Sequence, residues 1–343
     1  MTTAPLRLAV VGLAHGHVEW LLDGARTRRD IELVGIWEPD AKLFDRLAEK
    51  YQTDPALRAT DLGAMLDETK PDAAAVMTHT AAHEMAVEAC APRGVHVMVE
   101  KPLAITPAGA EQMTARARRH GVHLLTNYET SWYPSLRTAK RLLDSGKLGR
   151  LLEARYLIGH QGPVQNKLPG EFLAWLLDPE LNGGGAMADF ACYGVVLTGW
   201  LIGETPDSVS ATTRTVRPDL YPRVEDDSEV SVSYPGGAKV TIRASWALEA
   251  NAKACEFVTD AGVLRCPDRD RVVFDSHQSG PREIVPDPLD PELTDAWTYL
   301  RSVVVGGGAI DEMSATDANL GVVRVLAGAR ASAASGEPVR VRC

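Results

Sequence analysis

The chain has no run of basic residues, no CxxC pair and few aromatics, which make up 6 % of its 343 residues. The absence of a Lys/Arg cluster, with a formal net charge of −10, argues against nucleic-acid or anionic-membrane partners. Five scattered cysteines, Cys90, Cys192, Cys255, Cys266 and Cys343, form no metal-binding or disulfide pattern and read as reduced thiols. No apolar stretch suggests a membrane span. No basic segment followed by a cleavable apolar one stands near Met1, so the cytoplasm is the expected location.

What is present is ordinary globular material, 45 % hydrophobic and 24 % charged, enough for two domains. Apolar runs at 6–12, 31–37, 73–77, 96–99 and 122–126 alternate with helical spacing at 17–29, 41–52, 61–68, 82–91 and 106–120. A parallel crossover needs a helix, so this alternation predicts an α/β, doubly wound parallel sheet. A helix over 134–145 follows, and then strands dominate: 150–159, 207–216, 227–234, 238–248, 254–259 and 271–275. An apolar helical segment at 186–202 interrupts them, a helix at 314–335 closes the chain, and 339–341 could add an edge strand. Strands without intervening helices predict a large, open, mainly antiparallel sheet. The expected division is 1–126 for the first domain and 127–343 for the second, with helix 314–335 packing back near the first.

Three segments carry chemistry. Gly12-Leu13-Ala14-His15-Gly16-His17 ends the first strand and opens the first helix, where a dinucleotide diphosphate needs close backbone approach. Against GxGxxG, Gly12 fits, Ala14 replaces the second glycine and His17 the third. Glu38 ends the second strand, where a carboxylate accepts ribose hydroxyls and repels a 2′-phosphate, favouring NAD over NADP. Glu100-Lys101-Pro102 follows the fourth long strand, so Lys101 points to the crevice beyond the strand ends. Gly183-Gly184-Gly185 opens a helix with Asp189 and Tyr193 four apart, on one face. A nearby lysine would lower the Tyr193 pKa and make the phenol a proton carrier.

In this order the segments resemble the Gfo/Idh/MocA oxidoreductase family over nearly the whole chain. Thr78-His79 and His83 are similar to its ATPNxxH segment, 100–102 to its EKP motif and 183–193 to its GGGxLxDxGxH/Y motif. Tyr193 places the chain nearest the tyrosine branch, which includes glucose–fructose oxidoreductase and dihydrodiol dehydrogenase. The resemblance implies a Rossmann domain, an open-sheet domain and a nicotinamide between them. It implies hydride exchange at a carbinol carbon of a sugar, cyclitol or related polyol. Lys101, Asp189 and Tyr193 would be catalytic. Gly12, Leu13, Ala14, His15, Gly16, His17, Glu38, Thr78, His79, His83, Glu100 and Lys101 would hold cofactor. Asn127, Tyr128, His160, Lys167, Trp175, Asp189 and Tyr193 would meet the polyhydroxylated substrate.

Two other classes compete. A dinucleotide-binding sensor of the same fold would not need the proton-transfer set at 101, 189 and 193. A metalloenzyme could be posed on His15/His17 and His79/His83, but those pairs fall on different loops and no Cys, Asp or Glu completes either, so no metal is expected. An open sheet is an association surface, and a homodimer or homotetramer through it is expected.

Overall fold

The computed structural model describes residues 4–341, so Cys343 lies outside the described residues. The N-terminal elements are β1 (Leu6–Val11), α1 (Val18–Ala25), β2 (Ile31–Trp37), α2 (Ala41–Tyr51), β3 (Arg58–Ala59) and α3 (Leu62–Thr69). Then come β4 (Ala73–Val76), α4 (His83–Cys90), β5 (His96–Glu100), α5 (Pro107–His120) and β6 (Leu124–Asn127). The six strands form one parallel sheet ordered β3-β2-β1-β4-β5-β6. The order reverses beside β1, between β1 and β4, and such a switch point is where open α/β sheets bind ligands. Helices cover both faces, so β4 reads Ala-Ala-Ala-Val and is buried throughout. Local signals set the helix ends: Asp40 caps α2 by accepting from the N–H groups of Lys42 and Leu43, and Thr106 with Pro107 opens α5.

The second half contains α6 (Pro134–Asp144), β7 (Leu151–Gly159), α7 (Gly170–Leu176), α8 (Pro179–Asn182), a π turn at Met187–Ala191 and α9 (Cys192–Ile202). It continues with β8 (Ser208–Arg214), β9 (Asp227–Ser233), β10 (Lys239–Ser245), β11 (Ala252–Thr259), β12 (Gly262–Asp268), β13 (Arg271–Ser276) and β14 (Gly280–Ile284). The last elements are α10 (Ala296–Val304), α11 (Thr316–Ser335) and β15 (Val339–Arg340). Nine strands form the sheet β14-β13-β12-β11-β7-β10-β9-β8-β15. Its pairings are antiparallel except β7–β10, which is parallel. The sheet is thus mainly antiparallel, as expected, and its one parallel pairing joins strands separated in sequence by the whole α7–β9 excursion.

One face of this sheet is covered by α9, which is apolar all round and buried accordingly. Ala154, Tyr156 and Ile158 of β7 point into that core, while Arg155 and Leu157 alternate outward. The segment Pro179–Ile202 is long and apolar enough to cross a membrane, contrary to the sequence expectation, but 78 % of its apolar window is buried inside the fold. It is a core element made of α8, the π turn and α9. Two late helices return to the first sheet. Trp297, Tyr299, Leu300 and Val303 of α10 join the β1–α1–α2 core. On α11, Asn319 accepts from the Tyr128 hydroxyl (2.9 Å) and Thr316 donates to Leu124 O (2.6 Å).

Candidate active site

The ends of β1 and β5, the π turn and the neighbouring strands of the large sheet enclose a cleft of about 860 Å³. His15, His17, Lys101, Glu129, His160, Lys167, Phe172, Asp189, Tyr193 and Lys253 all line it.

The β1–α1 loop is a tight turn. Gly12 sits at φ +80°, and a Cβ there would lie 2.5 Å from Thr78 Cγ2, so only glycine fits. Leu13 N–H donates to Glu38 Oε2 and Asp40 N–H to Glu38 Oε1, each at 2.9 Å. Glu38 is therefore turned inward onto the loop. Burial raises its pKa, against backbone hydrogen bonds that lower it. The crest of the loop meets α7. Trp175 Nε1 donates to Ala14 O at 3.1 Å, and a Cβ on Gly16 would lie 3.0 Å from the Phe172 ring. His15 sits against Phe172 and Trp175, with ring centroids 4.9 and 5.6 Å away, and His17 stacks on Trp20 at 4.3 Å.

At the end of β5, Glu100 is buried. Its Oε1 accepts from Asn127 Nδ2 (2.8 Å) and its Oε2 shares a hydrogen bond with His17 Nδ1 (3.0 Å). Burial opposes its charge, but the neighbouring His17 and the hydrogen bonds from His17 and Asn127 outweigh that and hold the carboxyl below its usual range. Burial drives the His15 pKa well down, so that ring is neutral. Lys101, also buried, donates to Asp189 O (2.9 Å) and to Asp189 Oδ1. Trp246 Nε1 donates to the other carboxylate oxygen at 3.0 Å. Burial works against both charges, but mutual attraction wins: the Lys101 pKa is raised and the Asp189 pKa lowered.

The glycine run lets the second half approach. A Cβ on Gly185 would fall 1.9 Å from Glu225 O, and Glu225 Oε1 accepts from Gly185 N–H (2.9 Å) and Met187 N–H (3.0 Å). The π turn then carries Asp189 toward Lys101, and Tyr193 follows on α9. The Lys101 ammonium lies 5.4 Å from the centre of the Tyr193 ring and that of Lys253 5.2 Å. The expected lowering of the Tyr193 pKa does not occur. Burial first, then the nearby Glu129, Cys192, Glu100 and Asp189, push the phenol well above its ordinary value, and the Lys101 charge is already spent on Asp189.

Lys101, His160, Lys167, Asp189 and Tyr193 thus meet in the cleft as the motifs suggested, together with His15, Gly16 and His17. Other residues do not. Asn127 holds Glu100 and accepts from Trp132 Nε1 (3.2 Å); Tyr128 is buried edge-on behind Tyr193, with ring centroids 5.4 Å apart. Trp175 serves the loop crest. His83 is buried, donates its ring N–H to Leu103 O (3.1 Å) and is pushed down by burial to about 4. Thr78 packs beneath Gly12, and His79 lies beside it, its pKa lowered by burial. Sequence reasoning missed Glu129 and Lys253, an ion pair joining the segment after β6 to β11, and Phe172 on α7. The run Phe172-Leu173-Ala174-Trp175-Leu176 between Pro169 and Pro179 was the available signal for α7.

A dinucleotide fold whose strand-end crevice faces a lysine, a carboxylate and a phenol defines a nicotinamide-dependent oxidoreductase architecture. Residues 6–128 match the oxidoreductase family with an NAD-binding Rossmann fold, and residues 136–265 match the GFO/IDH/MocA C-terminal domain. The chain belongs to the Gfo/Idh/MocA family. It is similar to the D-xylose 1-dehydrogenase [NADP(+)] of Haloarcula marismortui, with 24 % identity over 71 % of this chain and 67 % of that protein. It is 31 % identical to the D-glucoside 3-dehydrogenase of Escherichia coli K12 over 56 % of this chain and 53 % of that one. The chain therefore spans only about half the length of that second relative. Its fold matches an inositol dehydrogenase homolog complexed with NAD+ from Azotobacter vinelandii, at TM-score 0.85 and 19 % identity over 99 % of this chain and 98 % of the other.

Proposed function

We propose that the cleft transfers hydride between NAD(P) and a carbinol or carbonyl carbon of a sugar, cyclitol or related polyol. The observation that carries this reading is the convergence of Lys101, Asp189 and Tyr193 on one cleft at the C-terminal end of the parallel sheet. The β1–α1 turn fits a dinucleotide, because Gly12 has the conformation and close packing that the first glycine of such a loop requires. Gly12 through His17, with Glu38, would hold the cofactor, which when bound supplies the hydride acceptor or donor. A carboxylate at 38 favours NAD, since a 2′-phosphate would meet its charge.

The chain's own residues handle the oxygen. A reacting carbon bears an oxygen that is negative in the transition state whichever way hydride moves. Lys101 stays protonated beside Asp189, and burial keeps the Tyr193 phenol protonated too. Both are donors facing the cleft, and fixed donors stabilise such an oxyanion where water is excluded. Tyr193 gives its proton to the oxygen in reduction and is reprotonated from solvent through the open cleft; in oxidation it receives the hydroxyl proton as its own leaves to solvent by the same route. His160 adds a third donor: its Nδ1 accepts Gly162 N–H at 3.0 Å, which leaves the ring proton on Nε2. The Glu129–Lys253 pair and Lys167 supply charged groups suited to hydroxyls.

The deciding experiment measures NAD+ and NADP+ reduction across aldoses, inositols and cyclic diols, with Lys101→Ala as control. Turnover that survives Lys101→Ala overturns the reading, and dinucleotide binding without any turnover makes the chain a sensor of the same fold. We further propose that the outward face of the large sheet, including Leu157, pairs two copies; a monomeric mass in light scattering would refute it.

A further inference from the structure

Two histidines and a carboxylate meet at the floor of the cleft, beside the Lys101–Asp189–Tyr193 set. One ring nitrogen of His15, one of His17 and a carboxylate oxygen of Glu100 all lie within 4.8 Å of one another. Sequence spacing had paired the histidines 15/17 and 79/83 and found no acid for either; the fold supplies one by bringing the end of β5 against the β1–α1 loop.

Each member is held by its surroundings. The main-chain N–H of His15 donates to Met77 O at 2.9 Å, which fixes the loop. Asn127 occupies one Glu100 oxygen and leaves the other toward His17. Outer partners of this kind orient ligands in metal sites. A closed hydrogen-bond network does not account for His15. Its Nε2 is buried with no partner, and its Nδ1 has only a long 3.2 Å contact from His17 N–H. A buried polar atom without a partner is destabilising, and a cation would relieve it. Either nitrogen is available to a cation; ligation through Nε2 moves the ring proton to Nδ1 and gives up that long contact.

We propose that His15, His17 and Glu100 bind one divalent first-row transition-metal ion of the zinc type. Two imidazoles and one carboxylate are a donor set that leaves open coordination positions, and here the cleft lies beside them. Tetrahedral metal–ligand distances of about 2.0–2.2 Å place donor atoms about 3.3–3.6 Å apart, so the three groups would draw together on binding. Adjacent hydroxyls of a polyol are the ligands such open positions would chelate. The site goes beyond the dehydrogenase reading and does not depend on it.

The test uses the full chain, stripped with chelator and titrated with Co2+, followed by equilibrium dialysis and visible absorption, then displaced with Zn2+. The expected result is one equivalent of Co2+ per chain with d–d bands, displaced by Zn2+. Binding should fall at least tenfold in both His17→Ala and His17→Asn, with His79→Ala unchanged. Substoichiometric Co2+ binding in the parent, or full binding in either folded His17 variant, overturns the proposal. Thermal unfolding of the variants identifies the folded ones, and two substitutions at the partly exposed position 17 guard against loss of one. Metal content is the readout, so failure of the dehydrogenase activity would not be mistaken for failure of the site.

Discussion

Two glycine-marked turns build this site, and they spend their glycines differently. In the β1–α1 turn only Gly12 is forced, by its φ and by Thr78; the crest beyond it carries imidazoles. In the 183–185 turn, Gly185 is forced by contact with backbone, because Glu225 O lies where its Cβ would go. Each turn is clasped by a glutamate, Glu38 holding Leu13 N–H and Glu225 holding Gly185 and Met187 N–H. The first turn thus has room for chemistry at its crest, whereas the second is a rigid mount for Asp189 and Tyr193. Lys101–Asp189 is the joint between them.

Cutting the joint has the largest expected effect. Lys101→Met removes the ammonium from the reacting oxygen and leaves Asp189 as a buried carboxylate without its ion-pair partner. Turnover should fall by about 10³-fold, the scale for losing a fixed oxyanion donor, in steady-state assays on whichever polyol proves active. Tyr193→Phe should cost about 10²-fold or more if the phenol moves the proton. Gly185→Ala comes next. Its Cβ meets a backbone oxygen that cannot rotate away, so about 3 kcal/mol of stability should be lost, read from urea unfolding. Gly16→Ala meets only the Phe172 ring, which can turn, and should cost less than about 1 kcal/mol. Equal losses at 185 and 16 would erase the distinction between a rigid mount and an adaptable crest.

The sequence made five of the six strands of the first sheet legible because every crossover there needs a helix; β3, only two residues long, carries no pattern to read. It made Lys101, Asp189 and Tyr193 legible because motif glycines and strand ends place them without tertiary knowledge. Other features depend on contacts distant in sequence. The Glu129–Lys253 pair spans 124 positions, and Glu100 reaches His17 across 83. β12 and β14 were missed for a local reason: Gly262–Asp268 and Gly280–Ile284 carry Gly, Pro and charge, which weakens the alternating pattern. The spacing of Asp189 and Tyr193 implied a plain helix face, but the π turn between Met187 and Ala191 changes the register there. The sign of the Tyr193 shift was misjudged because proximity to a lysine was weighed without burial, or the lysine's prior partner.

The two clasps give the finest comparison. Glu38 uses both oxygens, one for Leu13 N–H and one for Asp40 N–H. A glutamine there must set its NH₂ against a donor, so Glu38→Gln should cost about 1–3 kcal/mol. Glu225 accepts from Gly185 N–H and Met187 N–H through Oε1 alone, which a glutamine oxygen can replace, so Glu225→Gln should be nearly neutral at low pH. The pH dependence tests how closely the second clasp is enclosed. Burial raises the Glu225 pKa above its unfolded value, against the backbone hydrogen bonds that lower it. Between those two values the native chain binds more protons than the unfolded one, so its stability falls as pH rises and levels off above the folded value. Glu225→Gln removes that term. The stability of Glu225→Gln relative to the parent should therefore increase from the ordinary glutamate range upward, then hold constant, in urea unfolding at successive pH values. A flat difference across that range would mean the Glu225 carboxylate is charged at no cost.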